Sequence, residues 1–346
     1  MRNYKLINPG IVFFIVLSLF LFKEVAGDAV AAEKTIPILF ASGQPAWTSY
    51  GIAVAASNVV NKNSNFDITV RSYSGALTII EALVQGEAQL GNGPFDTTLA
   101  MAYHGKGDYA KKGPRKDIRA AINYMAMRFT WLVPGKSDIK TIRDLKGKKV
   151  ARIIAGDNMV REVSLAAYGL DPKKDVEWIN IPSEDAFVQE MIMGRIDAIY
   201  NDLGGSDVIE AAEAVGLIRP LPIEPDKLAW MQSNHPNLFN GQTIKYVQPG
   251  WRKFLKMDRP TPVAAIPMPV STSVSAPADL VYEYVKVWLR NIDKMRKISA
   301  DMGEFNADMV QTASGVPYHD GAIRALKDFG LWTSGMEAAH QKALKQ

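Results

Sequence analysis

The sequence predicts an α/β protein of two lobes, and three observations predict it. Strand-like and helix-like segments alternate in short order with no proline-rich or Gly/Ser-rich linker between them, the pattern of largely parallel sheets flanked by helices. The chain, at 346 residues, exceeds the size at which one hydrophobic core stops growing, so two cores are expected. A block made of helix, glycine turn, strand and polar loop occurs twice.

Thr35 to Phe40 reads as the first strand, followed by a helix from Thr48 to Asn61 whose Tyr50, Val54, Ala55 and Val59 share a face. A strand Phe66 to Arg71, a helix Ala76 to Val84, a strand Ala88 to Gly91 and a helix Phe95 to Tyr103 come next. A Lys- and Gly-rich loop around 105–116 separates this block from apolar segments at Ala120 to Met127 and Phe129 to Pro134. The second block holds a short helix Ile142 to Leu145, a strand Lys149 to Ile153, a helix Met159 to Tyr168, a strand Val176 to Ile181, a helix Asp185 to Met193 and a strand Ile196 to Tyr200. The repeated unit is Ser74-Gly75 through Gly86 to Gly91, matched by Ser183-Glu184 through Gly194 to Ile199, with serine-to-glycine spacings of twelve and eleven. Each glycine ends a helix without a Cβ penalty, and each strand delivers a polar loop at its carboxyl end: Asn92 to Asp96 in one copy, Asn201 to Gly205 in the other. In open α/β sheets that edge is where ligands bind, although the same turns also serve simply as connections.

Arg2 and Lys5 precede an apolar run from Ile11 to Phe22, and small residues follow, with Ala29-Val30-Ala31 fitting a signal-peptidase site. The run is shorter than the roughly 20 residues needed to span a bilayer, so export with cleavage after residue 31 is expected, an uncleaved anchor being the alternative. The segment 1–31 carries Arg2, Lys5, Lys23, Glu24 and Asp28, a net of +1, so the mature chain keeps +3 of the +4. That charge gives no footprint for nucleic acid. With 47% hydrophobic and 22% charged residues the composition is that of an ordinary globular protein. The absence of cysteine excludes disulfides, thiolate metal sites and cysteine nucleophiles.

Several segments resemble a known family, the TAXI-type solute receptors of tripartite ATP-independent periplasmic (TRAP) transporters. Val316-Pro317-Tyr318-His319-Asp320-Gly321-Ala322-Ile323-Arg324, continuing to Phe329-Gly330-Leu331-Trp332, looks like that family's C-terminal ending. Asp144-Leu145-Lys146-Gly147-Lys148-Lys149-Val150 resembles a turn shared by many periplasmic binding proteins, and Gly86 to Leu90 and Gly194 to Ala198 resemble paired segments of the family. The resemblance implies a type II periplasmic-binding fold, two α/β lobes joined by a hinge of crossing strands, with no cofactor and no metal, acting as a monomer. It also implies a small polar or anionic solute of the amino-acid or carboxylate class, delivered to the permease subunits of a TRAP-type transporter. Lobe 1 would span 34–128, lobe 2 129–260, and the chain would return through 261–346, crossing near Arg128 to Pro134 and Thr261 to Val270 and ending in helices that include Leu280 to Ile298.

Candidate binding residues sit where strands end. Gly43, Trp47 and Tyr50 follow the first strand, where helix N–H groups and small residues suit carboxylate oxygens. Ser74 and Gly75 stand at a helix start, Asn92 and Asp96 after the third strand, and Tyr200, Asn201 and Asp202 after its counterpart. Arg128 at the crossover is a counter-ion for an acidic ligand or a solvated hinge residue. Ala155-Gly156-Asp157-Asn158 departs from the family's hydroxyl-rich loop: Asp157 beside Asn158 either faces the ligand and disfavours a carboxylate, or caps its helix. An enzyme is the rival of another class, but no Gly-x-Ser-x-Gly, His-Glu-x-x-His or phosphate-cradling loop is present, and His319 lies in the C-terminal motif. An ABC importer's receptor for a sulfonate- or pyrimidine-like ligand, and a sensor subunit, are the other binding readings.

Overall fold

Two long antiparallel strands organise the computed structural model, which describes residues 35–45, 47–154, 158–182, 186–239 and 241–346. They are β4 (Ile118–Pro134) and β10 (Thr261–Ser273), paired from Ala264 opposite Phe129 to Ser273 opposite Ile118, with register shifts between Met268 and Pro269 and between Val270 and Ser271. At one end β10 takes on β3 (Leu90–Gly91), which is parallel to β1 (Ile36–Ser42), with β2 (Phe66–Ser72) outermost. At the other end β4 takes on β7 (Ile199–Asp202) and β8 (Ile218–Pro220), while β9 (Thr243–Val247) pairs with β10. A parallel pair, β5 (Lys149–Ile153) with β6 (Glu177–Ile181), joins the chain before β7 through a bridge between Val150 and Ala198. The sheet is therefore mixed and not largely parallel, because a chain that crosses and returns must lay its two crossing strands in opposite directions.

The helices are α1 (Thr48–Lys62), α2 (Ala76–Val84), α3 (Asp96–His104), α4 (Asn158–Ala166), α5 (Phe187–Ile192), α6 (Ser206–Val215), α7 (Pro225–Asn234), α8 (Pro236–Phe239), α9 (Ala278–Arg290), α10 (Ile292–Arg296), α11 (Ala307–Val310), α12 (Asp320–Asp328) and α13 (Ser334–Leu344). Buried side chains gather on either side of the crossing strands. Phe40, Ile79, Leu90, Tyr124, Trp288 and Phe305 belong to one core, here lobe 1. Lobe 2 holds two, one around Trp131, Val150, Tyr200 and Phe239 and one around Ile153, Phe187, Leu203 and Val263. Helix α3 belongs to lobe 1 by sequence, yet its Ala100 and Met101 pack into the first lobe 2 core.

Both repeat glycines take the left-handed conformation, Gly86 at φ 75° and Gly194 at φ 65°, and close their helices by donating to Leu83 O and Met191 O, each at 3.1 Å. Ser183, Glu184 and Asp185, which open the second copy, lie outside the described residues. The two apolar segments on either side of Arg128 fuse into the one strand β4. The helix expected over Leu280 to Ile298 is two, because Asn291 leaves helical geometry (φ −113°, ψ 26°) while its Nδ2 donates to Val287 O at 2.9 Å.

The C-terminal motif is a packing element of lobe 1. Val316, Tyr318, Ala322, Ala325 and Leu326 are buried, Tyr318 meets the Trp332 ring edge-on at 5.2 Å, and the His319 side chain caps α12 by accepting from Gly321 N at 3.1 Å. Gly321 is where α12 crosses α9: a Cβ there would lie 2.1 Å from Ala278 O. The signal segment, residues 1–31, lies outside the described residues, among which no helix is long and apolar enough to cross a membrane.

Candidate ligand-binding cleft

The strand ends of the two lobes converge on three aromatic rings. Phe95, just after β3, meets Phe129 of β4 edge-on at 5.0 Å, and Phe129 stacks on Tyr200 of β7 at 5.8 Å and 22°. Tyr200 in turn meets Trp131 at 5.8 Å. One ring thus comes from each lobe and one from the crossing strand between them. Phe129 and Tyr200 are both buried and belong to the lobe 2 core as well.

On the lobe 1 side, Gly43 lies directly under the half-buried Trp47: a Cβ there would come within 2.0 Å of Trp47 Cε3, so only glycine lets the ring lie down on the β1 loop. Tyr50 is half-buried one helical turn on. Gln44 Nε2 donates to Ser74 O at 3.2 Å, tying this loop to the start of α2, where Gly75 N donates to Thr78 Oγ1 at 3.2 Å. The Ser74 hydroxyl is exposed and 3.4 Å from Thr78 Oγ1. Asn92 is placed differently: buried, it accepts from Ser42 Oγ at 2.7 Å and donates through Nδ2 to Ser49 O and Tyr124 Oη, both at 3.0 Å. Its amide holds the strand ends in place.

Asp96, the first residue of α3, is also turned inward. Its carboxylate accepts from Ser314 Oγ and from Gly315 N at 2.9 Å, and Gly241 of lobe 2 passes so close that a Cβ would lie 2.8 Å from Oδ2. Burial pushes its pKa up to about 6, against the lowering effect of those donors. The next residue, Thr97, accepts from Gln242 Nε2 at 3.1 Å, so the start of α3 bridges the lobes.

On the lobe 2 side Asp157 lies outside the described residues, and Asn158 closes the turn after β5, accepting from Ile153 N at 3.2 Å and donating to Ile153 O at 2.7 Å. Asn201 donates to Asp207 Oδ2 at 2.8 Å and accepts from Asp202 N. Asp202 accepts from Gly204 N at 3.0 Å, and burial first, with the charges of Asp301 and Asp207, lifts its pKa to about 7. Arg128 stands apart. Residues alternate faces along a strand, so while Phe129 meets Phe95 on one face, Arg128 leaves on the other, ion-paired with Glu304 and 4.9 Å above the Trp251 ring. A counter-ion role in the cleft does not fit that orientation.

Sequence reasoning missed Phe95, Phe129 and Arg161. Arg161 is only 3% exposed, and its Nη2 lies 3.4 Å from Tyr200 O, which accepts from it. One turn on, Ser164 accepts from Trp131 Nε1 at 2.9 Å. The signal was available: an arginine and a serine at i, i+3 on the apolar face of α4 mark a polar stripe beneath the end of β7.

A family model described as the NMT1-like family matches residues 40–330. Similar solved structures include the putative periplasmic sulfonate-binding protein SsuA of a sulfonate ABC transporter from Methylobacillus flagellatus KT, at 14% identity over 90% of this chain and 96% of that one, TM-score 0.48. A structure from work on glutathione import in Streptococcus mutans, via GshT and the cystine ABC importer TcyBC, matches at 13% identity over 78% and 96%, TM-score 0.47. The GluR0 ligand-binding core from Nostoc punctiforme, in complex with L-glutamate, matches at 13% identity over 76% and 97%, TM-score 0.46. The family found is thus NMT1-like, and the TAXI resemblance is not confirmed.

Proposed function

The chain belongs to the NMT1-like family, and on that premise we propose that it is an extracytoplasmic solute-binding receptor that closes two lobes on a small polar solute and hands it to a membrane permease. The observation that carries the reading is the convergence of strand-end loops from both lobes on Phe95, Phe129 and Tyr200, where crossing strands β4 and β10 join the lobes. On this reading the lobes divide near 128 and 260, which puts the hinge in those strands.

An ABC-type importer is the partner we favour. The TRAP reading rested on the C-terminal motif, and that motif packs lobe 1 together, so its residues are accounted for by the fold whatever the permease. Trp47 and Tyr50, half-buried beside the β1 loop, suit a solute with a flat or apolar part. Of the four histidines, His319 and His340 are engaged in main-chain bonds in lobe 1.

The test is release of whatever co-purifies with the mature protein, identified by mass spectrometry, then thermal shift with amino acids, sulfonates and pyrimidines. A bound solute raises Tm, with about 2.7 kcal/mol of stabilisation at one hundred times Kd. No released solute and no shift across the three classes overturns the proposal.

A further inference from the structure

We infer that the solute is seated in a recess over the crossing strands, walled by both lobes, and that it is a small zwitterion of the free α-amino-acid class, its carboxylate held by Lys245 and its ammonium by Asp308. The inference rests on the receptor reading and names the solute class and the residues that recognise it.

The geometry begins with strand alternation. Along β4, Met127 and Phe129 share one face, where Phe129 packs between the rings of Phe95 and Tyr200, and Ala126 and Arg128 share the other. On that second face Ala126 and Pro267 of β10, opposite each other in register, floor a recess of about 210 Å³. It is larger than the roughly 150 Å³ that admits benzene in an engineered cavity. Thr243 and Lys245 of β9 form one wall, and Ile244 and Val247 root that strand in the lobe 2 cores. Asp308, Met309 and Thr312 form the other, and Phe305 and Val310 root that segment in the lobe 1 core. The polar loops at the strand ends of both lobes reach its border. Gly241, part of the wall, passes beside the Asp96 carboxylate. Gly204 lies against Arg252, which pairs at 3.3 Å with Asp301 on the same short turn, Ala300–Glu304, that brings Glu304 to the recess.

Three charged side chains line the space: Lys245, Glu304 and Asp308. Glu304 is committed to Arg128. Lys245 Nζ stands 3.6 Å from Glu304 Oε2, well beyond the about 2.7–2.9 Å of a charge-assisted hydrogen bond, so its ammonium is loosely held. Asp308 is exposed and, among the described residues, has no cation within ion-pair distance. One wall thus offers an ammonium and the other a carboxylate, and the molecule that satisfies both carries opposite charges at its two ends. A dianion would set one end against Asp308 and a dication one end against Lys245, each a like charge. Ala126, Pro267 and Met309 give the carbon stem between the ends an apolar bed. A solute held at both ends ties the lobes to each other, which is the differential contact a ligand needs to favour one arrangement of them.

The test uses the mature protein freed of solute and the common amino acids one at a time, read by thermal shift and then by titration calorimetry. At least one should bind. Its single-charge relatives, the amine without the carboxylate and the acid without the amine, should bind about tenfold or more weakly. Lys245→Met should weaken the amino acid by about tenfold or more and leave the amine as it was, while Asp308→Asn should weaken the amino acid and leave the acid as it was. That crossed pattern is one that a general loosening of the structure does not produce. Ala126→Leu fills the floor and should weaken every probe; if it does not fold, Thr243→Phe fills the same space from the exposed rim. Glu87→Gln, in the Arg71–Glu87 pair of lobe 1, should leave binding unchanged. Amino-acid affinity that survives the charge variants or the filled recess, or a sulfonate or pyrimidine that binds where amino acids do not, overturns this inference and leaves the receptor reading standing; silence from all three classes overturns both.

Discussion

Asp96→Asn should flatten part of the pH dependence of stability. In the native chain the Asp96 carboxyl is buried between Ser314, Gly315 and Gly241, and its pKa rises from 3.8 to about 6. Because the folded-state pKa lies above the unfolded one, the folded protein holds this proton more tightly between pH 3.8 and 6. Stability from the group is therefore full below pH 3.8 and is lost as pH rises through 6. The size of that loss is on the order of 3 kcal/mol, a little over twice the 1.36 kcal/mol that one pH unit of displacement represents. At this chain length that is roughly 5 °C in Tm. Asparagine cannot ionise and mimics the protonated acid, so the variant should differ from the parent by a gap that opens in its favour between pH 3.8 and 6 and stays level above. Asp202, lifted to about 7, has the same sign over a wider window, so a residual slope remains in both proteins and the difference between them isolates Asp96. Thermal or urea unfolding at four pH values in that range measures it. Parallel curves for parent and variant would refute the assignment of a buried, proton-holding carboxyl.

Gly43→Ala drives a methyl into the space occupied by the Trp47 ring and should weaken solute binding by about tenfold or more while Tm moves little, read by titration with the released solute. Trp131→Ala removes a fully buried ring and its bond to Ser164 and should cost about 3 to 5 kcal/mol in urea unfolding; a loss below 1 kcal/mol would contradict its place in the lobe 2 core. Protein recovered from an exporting host should begin close to Ala32 on N-terminal mass analysis, and an intact Met1 would contradict the signal reading.

Local periodicity and turn chemistry were written in the sequence. The strand Lys149–Ile153 and the helix Ala76–Val84 lie where alternation and the helical repeat put them, and Gly86 and Gly194 end their helices in the conformation that glycine alone adopts without strain. The two similar blocks were read from the same local signals, whereas the return of the chain near Thr261, where β10 begins, was implied by the family resemblance. What tertiary structure decided is which polar side chains face a ligand and which hold the fold. Asn92 and Asn201 sit in equivalent loops, yet Asn92 is taken up by Ser42, fifty residues earlier, and Tyr124, while Arg128 finds Glu304, 176 residues away, on the far side of the strand. Phe95, Phe129 and Tyr200 come from three separate elements and look like ordinary core residues until the strands are laid side by side. A side chain's rotameric neighbours at such separations are set by how the sheet is assembled, and the sequence window that fixes a helix or a strand contains no trace of them.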